Sequence, residues 1–70
     1  MAAQAFQALR RRFVGRADGQ AAAYLLGRTF EASGQWADAE RWYATYLTEA
    51  PAGPFSVEAA SGRARAASHR

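Results

Sequence analysis

The 70-residue chain predicts an all-α fold of about four helices, arranged as antiparallel hairpins in a short α-solenoid. Three observations predict it. Apolar side chains recur three and four residues apart, the period that gathers them on one face of a helix. Glycine and proline fall between those stretches, where they break helices. The chain also repeats itself: Leu9–Gly15 returns 38 residues later as Leu47–Gly53, and Gly27-Arg28 returns 35 residues later as Gly62-Arg63. Periods of that length belong to helix–turn–helix arrays.

The first helix is expected over about 3–14, with Ala2, Phe6, Leu9 and Phe13 as its stripe. Arg10, Arg11 and Arg12 crowd its last turn, where cations suit the negative end of the helix dipole, and Gly15 follows as a natural terminator. Asp18 offers an N-cap for a second helix over roughly 20–33, carrying Ala23, Leu26, Gly27 and Phe30, and Gly34 closes it. The third helix opens near Trp36 and carries Ala39, Trp42, Tyr43, Tyr46 and Leu47 until Pro51 stops it. Pro54 stands at the favoured first position of a fourth helix with Phe55, Ala59 and Gly62 on one face. Residues 63–70 contain no large apolar side chain, and the last of them, 67–70, are expected to form a disordered tail. The folded domain is therefore placed at 1–66. Short connections between successive helices make antiparallel neighbours.

Composition removes several classes of function. Half of the residues are hydrophobic, but alanine supplies more than half of those, so few large side chains are left to build a core. Such a chain gains from stacking on something else. There is no cysteine, which excludes disulfide scaffolds, zinc ribbons and thiol chemistry. No apolar run is long enough to span a membrane, and no secretory signal is visible, so the default expectation is cytoplasmic. The four arginines between Met1 and Ala17, with no acid before Asp18, resemble an amphipathic presequence, but the segment also fits the repeat. All nine basic residues are arginine, and lysine, isoleucine and asparagine are absent; this reads as the codon bias of a GC-rich bacterial genome.

The segment Gln20–Gly53 resembles a tetratricopeptide repeat, a 34-residue helical hairpin. Leu26-Gly27 match the family's Leu-Gly pair, Phe30 the aromatic a turn later, Gly34 the turn glycine and Trp36 the aromatic after it. Ala39 matches the small residue at the closest helix approach, Trp42-Tyr43 the aromatic pair, Leu47 the late apolar position and Pro51 the closing proline. Two positions depart: Ala23 stands where the family carries a bulky residue, and Tyr46 where it carries alanine. That exchange puts in question how the space between the helices is filled. With its flanks, the chain reads as the second helix of one repeat, a complete hairpin, and the first helix of the next, which leaves two cut ends.

Nothing in the sequence assembles a catalytic or metal-binding set, and no cofactor is expected. His69 is the single histidine, and the serines lack a histidine–acid pattern. The chain is therefore read as a non-catalytic interaction or assembly module, self-associating or a small subunit of a larger complex. The resemblance implies a ligand groove on the first helix of each hairpin, lined by Ala21, Tyr24, Arg28, Glu31 and Ala32, with Arg28 contacting a partner carboxylate. Apolar side chains at the cut ends (the stripe Phe6, Leu9 and Phe13, and the face carrying Phe55 and Val57) are the expected assembly contacts. The alternative is binding of nucleic acid or another anionic surface through Arg10, Arg11, Arg12 and Arg16, which a net charge of +3 permits. Phe6 and Phe13 changed to Asp test the assembly contacts, Tyr24→Ala tests the groove, and salt dependence tests the anionic partner.

Overall fold

The computed structural model describes residues 2–12 and 15–69, and these form four helices with no strand among them. The helices are α1 (Ala2–Arg12), α2 (Ala17–Ala32), α3 (Trp36–Glu49) and α4 (Ser56–His69). The fold is all-α, as the periodicity requires. Helix α2 is central and packs on α1, α3 and α4, while α4 also packs on α3. The whole measures 31 × 28 × 13 Å, a slab of packed rods.

Helix ends follow local chemistry. Gly34 adopts a φ of +75° and ends α2. Its N–H donates to the Glu31 carbonyl at 3.0 Å, and the Gln35 N–H donates to the Phe30 carbonyl at 2.9 Å. This pair of bonds satisfies carbonyls that the helix would leave open. Helix α3 spans the expected residues and stops before Pro51. Helix α2 begins earlier than Asp18 suggested: Arg16 is the extended N-cap residue, and Asp18 lies inside the first turn, where its charge suits the positive end of the dipole. Helix α4 begins later than Pro54 suggested. The Phe55 N–H donates to the Tyr46 hydroxyl at 3.0 Å, and the Ser56 N–H to the Gly53 carbonyl at 3.1 Å, so 51–55 form a turn.

The largest difference lies at the C-terminus. Residues 67–69, expected to be a disordered tail, are helical and docked, because α4 runs to His69. Ala66 is fully buried, and the His69 ring stacks on Trp36 with centroids 4.2 Å apart. Small and polar groups hold this segment, which is why an inventory of large apolar residues missed it.

The core is aromatic and alanine-lined. Tyr43, Tyr46 and Leu26 are the largest fully buried side chains, with Ala23, Ala39, Ala59 and Ala66 closing around them. Gly27 and Gly62 flank opposite edges of the Tyr43 ring. A Cβ on Gly27 would come within 2.7 Å of Cδ1, and one on Gly62 within 2.6 Å of Cε2. Three helices thus meet around one ring, and only glycine lets α2 and α4 approach it this closely. At the two departures from the repeat pattern, Ala23 is fully buried, and the Tyr46 ring packs at 6.0 Å from Tyr24 and 6.2 Å from Phe55.

Candidate functional site

Along α2, the residues one helical face away from the core form a second stripe: Leu25, Arg28, Thr29 and Ala32. Together with Phe6 of α1 they line an open groove of about 280 Å³. The floor is apolar, from the half-buried Phe6 and Leu25. The Thr29 hydroxyl is already used, donating to the Leu25 carbonyl at 2.9 Å. Arg28 is exposed, and among the described residues it has no hydrogen-bond or ion-pair partner. A groove with an apolar floor and an unpaired guanidinium at its rim suits an apolar side chain accompanied by a carboxylate.

Other candidates serve the interior. Tyr24 is only 9 % exposed and stacks flat on Phe55, with centroids 4.7 Å apart and the planes 1° from parallel. Both rings are thus engaged with each other between α2 and the turn before α4. Glu31 accepts from Arg65 Nε at 2.7 Å and from the Tyr43 hydroxyl at 2.6 Å. The Arg65 guanidinium holds the Glu31 carboxyl below its ordinary range against the opposing effect of burial. Burial, reinforced by that carboxylate, pushes the Tyr43 phenol well above its ordinary range.

The arginine cluster is divided. Arg10 donates to Glu49 through Nη1 at 2.9 Å and Nη2 at 2.6 Å, and to the Gly19 carbonyl at 3.0 Å. Its guanidinium also lies 5.2 Å from the centre of the Trp42 ring. It clamps α1 to α2 and α3 and holds the Glu49 carboxyl below its ordinary range. Arg11, Arg12 and Arg16 are exposed, and Arg12 and Arg16 each take part in further interactions. Leu9 is half-buried on α1, and Phe13 lies outside the described residues.

Leu25 and Thr29 were absent from the sequence-derived candidates. Their signal was the spacing Leu25, Arg28, Thr29, Ala32, a second helical stripe beside the stronger one through Leu26 and Phe30. Among the described residues, no three His, Cys, Asp or Glu side chains gather as a metal site would require. No described helix is long and apolar enough to cross a membrane. No protein-family model matches the chain, and neither a curated protein nor a solved structure matches it.

Proposed function

We propose that this chain is a non-catalytic protein-interaction or assembly module of tetratricopeptide-like design. The observation that carries the reading is the groove between α1 and α2: its floor is apolar, its rim carries the unpaired Arg28, and nothing in the described chain fills it. Interfaces use such combinations, an apolar pocket for anchoring and a charged rim for orientation. The packing of α2 against both α3 and α4 also agrees with stacked helical repeats, in which each helix contacts its own hairpin and the next. Arg10 is engaged by Glu49 and Trp42, which weakens the alternative of an anionic surface bound by the whole arginine cluster.

The test is site-specific photocrosslinking in cells. Benzoylphenylalanine replacing the exposed Ala32 at the groove should give a light-dependent adduct that Arg28→Glu suppresses. The same group at the exposed Ala37 of α3 serves as the control. Absence of any adduct from position 32, or equal adducts from both positions, overturns the reading.

A further inference from the structure

We infer that α1 is a latch: it opens as one unit from a core of α2, α3 and α4 that stays folded, and the groove forms and dissolves with it. The inference rests on the interaction reading only for what the groove binds; the opening of α1 is a property of this chain alone.

Burial separates α1 from the other three helices. Helices α2, α3 and α4 each bury at least three residues. Among the described residues of α1 none is buried, and Phe6 and Leu9 are half-buried. The cluster around Tyr43 draws on α2, α3 and α4, and the partly buried Leu25, Trp42 and Phe55 pack against it from the same part of the chain. No described residue of α1 belongs to it, so release of α1 leaves those contacts in place. Proteins open locally where little apolar surface is uncovered.

What α1 covers is narrow. Gly19, Ala22 and Leu26 stand three and four residues apart on one face of α2, and all are buried. Ala22 and Leu26 lie outside the Tyr43 cluster, and the Arg10 guanidinium, arriving from α1, meets this face at the Gly19 carbonyl. Helix α1 therefore lies along this stripe. Among the described residues it packs on α2 alone, and the Arg10 side chain carries it across to Glu49 and Trp42 of α3. An eleven-residue helix is marginal by itself in water, so its order depends on the stripe and on the Arg10 clasp. In the groove, Phe6 comes from α1, whereas Leu25, Arg28, Thr29 and Ala32 come from α2. Opening removes the Phe6 half of the floor. A partner seated there binds only the closed form, and its apparent affinity scales with the closed fraction.

Thiol labelling with iodoacetamide tests the latch, since the chain has no cysteine of its own. Ala22 is buried beneath α1, Ala59 is buried in the Tyr43 cluster, and Ala37 is exposed. Ala22→Cys should react at least about tenfold faster than Ala59→Cys, yet more slowly than Ala37→Cys. Low concentrations of urea should speed Ala59→Cys steeply and Ala22→Cys little, because opening α1 exposes less surface than unfolding the chain. Glu49→Ala, which breaks the clasp, should speed Ala22→Cys about fivefold. Equal rates and equal urea dependence at 22 and 59 would mean that α1 opens only with the whole chain, and overturn the inference. Labelling at 22 as fast as at 37, or unmoved by Glu49→Ala, overturns it as well. Amide exchange in the unaltered chain reads the same opening without a substitution: protection at 6–12 equal to that of Tyr43 and Tyr46 is a further overturning result. None of these measurements involves a partner. The expected labelling pattern beside a missing adduct at position 32 would overturn the interaction reading and leave the latch standing.

Discussion

A methyl group on Gly62 would lie 2.5 Å from Cζ of Tyr43. No flexible group stands there to yield: the ring is 1 % exposed and its hydroxyl is held by Glu31 at 2.6 Å. Alanine in place of a helical glycine ordinarily gains up to about 1 kcal/mol. Here overpacking, typically about 1–3 kcal/mol, opposes that gain. Gly62→Ala is therefore expected to destabilise the chain by up to about 2 kcal/mol, and Gly27→Ala to act likewise from the other edge of the ring. Urea denaturation measures both. Gly34→Ala is the informative contrast: a Cβ there meets nothing within 4 Å, and its cost comes from the φ of +75°. Gly34→Asn should recover part of that loss, whereas Gly62→Asn should not.

Acid should loosen the contact between α2 and α4. The Arg65 guanidinium holds the Glu31 carboxyl below its ordinary range. Between the ordinary glutamate range near pH 4.3 and that lowered range, the unfolded chain binds more protons than the folded one, so stability rises with pH. The contribution is complete above about pH 4.3 and is lost as pH falls through Glu31's own range. Glu31→Gln should flatten this part of a stability-against-pH curve, and an unchanged slope would refute the role given to the carboxylate. At the other extreme the phenol of Tyr43 is held neutral in the fold. Stability should therefore decline as pH climbs past about 10, where an unfolded tyrosine ionises.

Arg10 ties three helices, and its geometry predicts more than a surface ion pair supplies. Two parallel bonds reach Glu49 and a third reaches the Gly19 carbonyl, with Trp42 beneath the guanidinium plane. The side chain is 21 % exposed and that of Glu49 is 34 % exposed, so solvent screens part of the attraction. A double-mutant cycle with Arg10→Ala and Glu49→Ala should give a coupling of about 1 kcal/mol that shrinks with added salt. Arg10→Lys should lose most of it, since an ammonium cannot make the paired bonds. A coupling near zero would show that the Glu49 pair does not help to hold α1 in place.

How legible each element was follows from what holds it. Helix α3 was readable end to end because Trp36, Tyr43, Tyr46 and Leu47 repeat at helical spacing and Pro51 is an unambiguous stop. Gly34 was readable because a positive φ selects glycine wherever it occurs. The start of α4 was not, because what displaces it from Pro54 is the Tyr46 hydroxyl, a partner on another helix. Arg10 and Glu31 looked like surface charges for the same reason: their partners Glu49 and Arg65 are 39 and 34 residues away in sequence. At the groove, Phe6 and Arg28 were visible as candidates, but their meeting depends on how α1 lies against α2, and no local pattern encodes that.

The last turns of α4 offer the sharpest check, because their order depends on contacts that composition argues against. Ala64, Ala66 and Ala67 favour helix, yet a short isolated helix is marginal in water and needs tertiary packing to persist. Ala66 supplies one contact by being fully buried, and His69 supplies another by stacking on Trp36 with the ring planes 15° apart. An aromatic pair of this kind contributes about 0.5–1.5 kcal/mol. His69→Ala is expected to shift Trp36 fluorescence and to raise amide exchange selectively at 66–69, leaving α2 and α3 protected. Ala66→Asp places a carboxylate where there is no exposure and should release the whole of α4 beyond Gly62, at a cost of at least about 2 kcal/mol. If amide exchange at 66–69 is already fast in the unaltered chain, the packing of Ala66 and His69 does not order this segment, and Arg65 would have to hold Glu31 from an unstructured tail.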